Sequence, residues 1–196
     1  MRISVAVLFL AVPAATVVLD NPHVRVYRTT DNSMTGVEHG PGVVISLDNR
    51  PGSTDGNAVW MDNVLAHGFT LAGGSLVVVQ PRRPNSLPVP IPAPAPSQRP
   101  GGSGFTGMSF TQLFENDMVT LLRARMEVGA TEAFHTHGAD TLVVHLSGGE
   151  IEDTADGKTK VNRWTRGDVE FEARGSSHSA RNIGKPVDVF LVALKP

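Results

Sequence analysis

The chain has no cysteine, one tyrosine and two tryptophans among its 196 residues, and only 18% of its residues are charged. Without Cys there is no disulfide framework, no thiolate-held zinc and no thiol nucleophile. A formal charge of −2 leaves no dominant basic face for a phosphate backbone, so nucleic acid is not an expected partner. Long apolar runs are also lacking. The most apolar stretch, residues 3–12 (ISVAVLFLAV), falls short of the about 20 residues that cross a bilayer, so no membrane span is expected in the mature chain. It follows Met1-Arg2 and precedes Pro13-Ala14-Ala15, so residues 1–15 read as a signal peptide or as a first β-strand. A cleaved signal implies a periplasmic or secreted protein; a strand implies a cytoplasmic one.

No long window carries helical periodicity with caps. What is abundant is proline and glycine, 14 and 20 residues respectively. Eight of the twenty residues from Pro81 to Pro100 are proline. Proline gives no ladder donor and holds its predecessor extended, which predicts a polyproline II connector over residues 81–107 with GGSG at its end. The connector leaves residues 16–80 on one side and 108–196 on the other.

These two flanks resemble each other. LDNPHVRVYR (19–28) aligns with FENDMVTLLR (114–123), and EHGPGVVISL (38–47) with THGADTLVVHL (136–146) after one gap. SLVVVQPR (75–82) and VDVFLVALK (187–195) close the two halves. Duplication would make each half one unit built the same way, and chance similarity of β-rich segments is the alternative. In the first half, Val43, Ile45 and Leu47 should share one strand face and Val44 and Ser46 the other.

Both halves read as β. Val169, Phe171 and Ala173 alternate with Asp168, Glu170, Glu172 and Arg174, while 187–194 is apolar except at Asp188, the pattern of a strand buried on both faces. Asp55-Gly56, Asp156-Gly157, Arg166-Gly167 and Asn182-Ile183-Gly184 supply turns, and Asp-Gly between strands is a hairpin signal. Short strands at this spacing predict an antiparallel sandwich or barrel.

The chemistry lies in the second half. His135-Thr136-His137 puts two imidazoles on one strand face, within reach of a single ion, and His178 offers a third from a distant segment. Asp140, Thr141 and His145 are further candidates near them. His145 lies about 13 Å along the strand from Thr141, at about 3.3 Å per residue, which is far for a shared ligand. Phe134, Val143 and Phe171 are candidates to line an interior, Trp164 reads as packing, and EIEDTAD (150–156) as a solvated acidic hairpin.

Gly129, His135-x-His137, Thr141 and Gly148 resemble the first motif of the cupins, and Gly167, Ala173-x-Gly175, His178 and Asn182 the second. Thr141 stands where the family usually has a Glu ligand, and Ala173 where it has Pro. The resemblance implies an all-β double-stranded β-helix, the jelly-roll barrel, over 108–196. It extends weakly to 16–80, implying a two-lobed chain whose first lobe is degenerate. There His39 and His67 have no partner at a ligand spacing.

The resemblance also implies one divalent ion (Fe, Mn, Zn or Ni) on His135, His137 and His178, a neutral set of the kind found in the family's thiol and diketone dioxygenases. The expected function is a small-molecule metalloenzyme working by oxidative or Lewis-acid chemistry. A non-catalytic small-ligand binding or sensing protein is the alternative, and a scaffold with a vestigial site a further one. A homodimer is the expected association if there is one.

Overall fold

The computed structural model describes residues 14–30, 33–48, 58–65, 74–82 and 95–195. In the first half these form β1 (Thr16–Asp20), β2 (Val24–Thr29), β3 (Gly42–Ser46), β4 (Ala58–Met61) and β5 (Leu76–Pro81). The second half opens with β6 (Phe105–Glu115), β7 (Val119–Thr136), β8 (Thr141–His145) and β9 (Gly149–Ala155). It continues with β10 (Lys158–Trp164), β11 (Val169–Glu172), β12 (Ser177–Asn182) and β13 (Val187–Leu194). Among the described residues no helix is long and apolar enough to cross a membrane.

The long strand β7 organises the second half. Residues 119–126 pair with β13, and residues 131–136 pair with β12. Between the two pairings Gly129 takes φ 78°, a left-handed backbone that lets the strand change direction. One layer is therefore β7-β13-β8-β11 and the other β7-β12-β9-β10, with β6 along the remaining edge of β7. The layers enclose a cavity lined by residues from both, and the result is the all-β jelly-roll barrel. At the β9–β10 hairpin, Asp156 and Gly157 take φ 50° and 70°, the paired positive values that an Asp-Gly turn supplies.

The five strands of the first half form one sheet in the order β1-β2-β5-β3-β4. The sheet β6-β7-β13-β8-β11 repeats that order strand for strand. The turns that open the two sheets are also alike. Asn21 Oδ1 accepts the amides of His23 and Val24 at 2.8 and 3.0 Å, and Asn116 Oδ1 accepts those of Met118 and Val119, both at 2.9 Å.

The two sheets pack face to face around one core. Val24, Val26, Val43, Ile45, Leu47, Val77 and Val79 from the first meet Leu121, Leu142, Val144, Phe190, Val192 and Leu194 from the second. This packing explains β13: Phe190, Val192 and Leu194 face the first sheet, while Val187, Val189 and Leu191 face the barrel cavity. The alternation in β3 is as its sequence predicts, with Val44 in a separate cluster on the far side with Tyr27, Leu76 and Val78. Over its described residues, then, the first half is an open sheet that shares its core with the barrel.

The bounds of the connector differ from the sequence expectation. Pro81 ends β5, and Phe105–Gly107 already belong to β6, because the backbone of that segment pairs with β7. Between them, residues 96–98 form a single 3-10 turn. The proline-rich run at 83–94, the apolar run at 1–13, Asp55-Gly56 and His67 lie outside the described residues.

Candidate metal centre

Three histidines meet at one end of the barrel cavity. His135 and His178 are direct partners across β7 and β12, and His137 follows two residues after His135 on the same face. Their ring centroids lie 4.7 to 5.0 Å apart, and one nitrogen from each falls within 4.8 Å of the others. The strands are locked in this register by amide bonds from His137 to Ser176 O and from Gly175 to His137 O, both 2.9 Å. On the opposite face Thr136 and Ser177 hydroxyls bond at 2.8 Å.

Two of the rings are oriented from behind. His178 Nδ1 donates to Asp153 Oδ1 at 2.7 Å, and His135 Nδ1 donates to Ala133 O at 3.0 Å. A carboxylate and a carbonyl can only accept, so each of these rings carries a proton on Nδ1 and turns Nε2 the other way. His178 Nε2 is buried and has no hydrogen-bond partner. A buried ring nitrogen without a hydrogen bond, beside two more imidazoles, fits a metal site, because leaving it unmatched is costly. Burial pushes His135 below the usual histidine range and, with the neighbouring His178 and His135, pushes His137 down to about 4. These two imidazoles are thus neutral at physiological pH, the form that ligates metal.

Around this neutral set of imidazoles, whose surroundings the sequence leaves open, stand three acids. Glu172 Oε2 lies 3.5 Å from His137 Nδ1, and Glu172 Oε1 lies 3.9 Å from His178 Nε2. Glu132 Oε2 is 3.7 Å from the same Nε2, and Glu170 also lines the cavity. Burial, reinforced by Glu132, Glu170 and Asp153, pushes Glu172 well above the usual carboxylate range. Glu132 and Glu170 are raised chiefly by burial as well. Acids concentrated away from water beside these imidazoles are what a bound cation would relieve.

Sequence reasoning missed these acids for two different reasons. The alternation at 168–174 correctly predicts a strand with one apolar face, but the apolar face turns outward. Phe171 and Val169 pack against the core shared with the first sheet, and Glu170 and Glu172 point inward. Phe171, expected in the interior, instead stacks on His23 of the first half at 6.4 Å. Glu132 enters the lumen through a bulge: His135 pairs with His178 while Glu132 pairs with Ala180, so β7 spends one extra residue between them. Phe134 faces outward as the neighbour of the inward His135, 61% exposed rather than lining the barrel. Asp153, read as part of a solvated hairpin, is only 8% exposed because its strand faces the cavity.

The structure separates the remaining candidates. Asp140 turns away from the histidines, accepting the Arg174 amide at 2.7 Å and pairing with His23 at 3.0 Å. Thr141 lines the cavity but donates its hydroxyl to Ala139 O at 3.3 Å. His145 lies outside the three-histidine group, 3% exposed, stacked on Trp164 at 4.7 Å and 17°, with neither ring nitrogen bonded. Burial pushes it down to about 4. Between the centre and His145 the cavity, of 410 Å³, is walled by Met108, Phe110, Val143, Ile151, Val189 and Leu191. Val143 is inside as expected, and Trp164 both packs and forms wall.

No family model matches the chain, and no curated protein matches it. Solved structures do resemble it. A cupin domain from Bordetella pertussis is 21% identical, over 46% of this chain and 96% of that one, with a TM-score of 0.44. The polyketide cyclase RemF from Streptomyces resistomycificus is 17% identical over 46% and 67%, with a TM-score of 0.41. A predicted oxalate decarboxylase from Thermotoga maritima is 23% identical over 45% and 81%, with a TM-score of 0.37.

Proposed function

We propose that the second half is a cupin-type barrel that holds one divalent metal ion on His135, His137 and His178 and acts on a small molecule in the adjoining cavity. The observation that carries this reading is the convergence of three imidazoles, with His178 Nε2 buried and without a hydrogen bond. Asp153 and the Ala133 carbonyl hold the His178 and His135 rings with their free nitrogens inward, the arrangement a metal ligand needs. When bound, a divalent ion supplies Lewis acidity or, for a redox-active metal, oxidative chemistry. The cavity walls beyond the centre are apolar, so the molecule taken up pairs a polar head at the histidines with an apolar body. His145 offers it a hydrogen-bonding partner at the far end. The first half, with the strand order of the barrel sheet and an apolar far face, is the degenerate second lobe of a two-lobed chain.

The test is elemental analysis of the purified protein, then chelation and re-addition of Fe(II), Mn(II), Ni(II) or Zn(II). Parent protein should retain one equivalent, and the triple His→Ala variant none. O₂ uptake with small diketones, thiols and hydroxy acids then reports catalysis. Equal metal content in parent and variant overturns the metal site. The apolar walls favour a second reading, a non-catalytic binding protein, which tight ligand binding without turnover under any metal would select.

A further inference from the structure

Position 141 contributes no anion to the centre: it is a threonine, and its hydroxyl is engaged by the Ala139 carbonyl. The residue opposite Thr141 is Glu172, because β8 and β11 pair in a register that makes these two direct partners. Directly opposed residues on one sheet face have Cβ atoms about 5 Å apart, so a side chain at 172 reaches much the same space as one at 141. Glu172 uses that reach. Its two oxygens lie 3.5 and 3.9 Å from nitrogens of His137 and His178 respectively. Ligand atoms bound to one ion at about 2.0–2.2 Å sit roughly 3–3.5 Å from each other. The three histidines alone have atoms all within 4.8 Å of one another, so Glu172, beside two of them, has to rotate towards His135 to join the set. Glu132 approaches only His178, at 3.7 Å, and Asp153 is engaged at the Nδ1 side of that ring.

We infer that Glu172 is the fourth protein ligand of the metal, an anion supplied across the β8–β11 strand pair in place of one at position 141. This rests on the three-histidine reading above. It makes the site a three-nitrogen, one-carboxylate set instead of a neutral one. Glu132 stays outside the bonding sphere and contributes only its charge.

Co(II) added to chelated protein is the probe, because its visible absorption responds to ligand number and its binding can be titrated calorimetrically. Glu172→Gln keeps size and polarity but removes the anion. It should weaken Co(II) binding at least about tenfold and change the visible spectrum, whereas Glu132→Gln should keep the spectrum and lose less than about threefold. The exchange Thr141→Glu with Glu172→Thr should recover binding to within about threefold of the parent by returning the carboxylate from the partner strand. The inference is overturned by a parent-like spectrum and affinity in Glu172→Gln, by equal losses in Glu172→Gln and Glu132→Gln, or by an exchange variant no tighter than Glu172→Gln. His178→Ala separates the two levels. Loss of Co(II) there with parent behaviour in Glu172→Gln removes only Glu172. Parent affinity in His178→Ala removes the three-histidine site itself.

Discussion

His145 adds a second buried imidazole to the acid response that His137, also held near 4, already gives. It is 3% exposed, neither nitrogen is bonded, and burial holds it near 4 against 6.5 for a free imidazole. Between those values the unfolded chain binds a proton that the folded chain refuses, so stability falls as pH drops from about 6.5 towards 4. A shift of this size corresponds to up to about 3 kcal/mol for the one residue. Phenylalanine at 145 would keep the stack on Trp164 and remove the titration. Urea unfolding of His145→Phe across this range should therefore show a shallower acid limb than the parent. Identical slopes would mean that His145 charges without cost in the folded state. The raised carboxylates act in the opposite sense: the folded chain retains their protons to higher pH, so they destabilise the metal-free protein as pH rises. A bound cation should cancel that loss, and the parent's metal-induced rise in melting temperature should be larger at pH 8 than at pH 5, a difference that calorimetry can read directly.

At the level of elements, what the sequence discloses is spacing, and what it hides is direction. His135, His137 and His178 were legible because alternation fixes a shared face along one strand and the motif glycines frame the turns between strands. Glu172 was legible as part of a strand but not as interior. Its apolar neighbours Val169 and Phe171 face a second sheet that no local pattern announces. Glu132 was hidden more deeply, since one extra residue in β7 changes the parity on which any face assignment depends. Asn182 shows a motif residue with a purely connective task. Its amide donates towards the carbonyls of Met126, Glu127 and Lys185 at 3.0, 3.1 and 2.9 Å, and its oxygen accepts the Gly184 amide at 3.0 Å. It thereby ties the bend of β7 to the β12–β13 turn. Asn182→Ala leaves buried carbonyls without donors and should cost about 2–3 kcal/mol, measured as a lower urea midpoint with an unchanged slope. A loss below about 0.5 kcal/mol would show that water replaces the amide there.

For the whole molecule, the telling feature is that two sheets of identical strand order share one core instead of closing separately. The barrel sheet turns Leu142, Val144, Phe190, Val192 and Leu194 towards Val24, Val26, Val43, Ile45, Val77 and Val79. Neither face could be left to water at small cost, since each large aliphatic or aromatic side chain stabilises by about 1.5–3 kcal/mol when buried. Further ties cross the same boundary: His23 to Asp140, and Arg28 Nη2 donating to Arg166 O at 2.7 Å. The halves should therefore unfold as one unit, although the candidate centre lies wholly in the second. The chain carries its own reporters, because its two tryptophans fall one to each half: Trp60 on β4, packed against the shared core, and Trp164 on β10 in the cavity wall. Trp164→Phe leaves only the first sheet fluorescent, and Trp60→Phe only the barrel. In each variant, urea unfolding followed by fluorescence should match its own circular dichroism curve, as a single cooperative transition requires. Adding metal should then move the Trp60 curve as far as the Trp164 curve, even though Trp60 touches nothing at the centre, because binding to a folded state stabilises everything that unfolds with it. A Trp60 signal that melts first, or that ignores the metal, would show two separately folding sheets and sink the shared-core account.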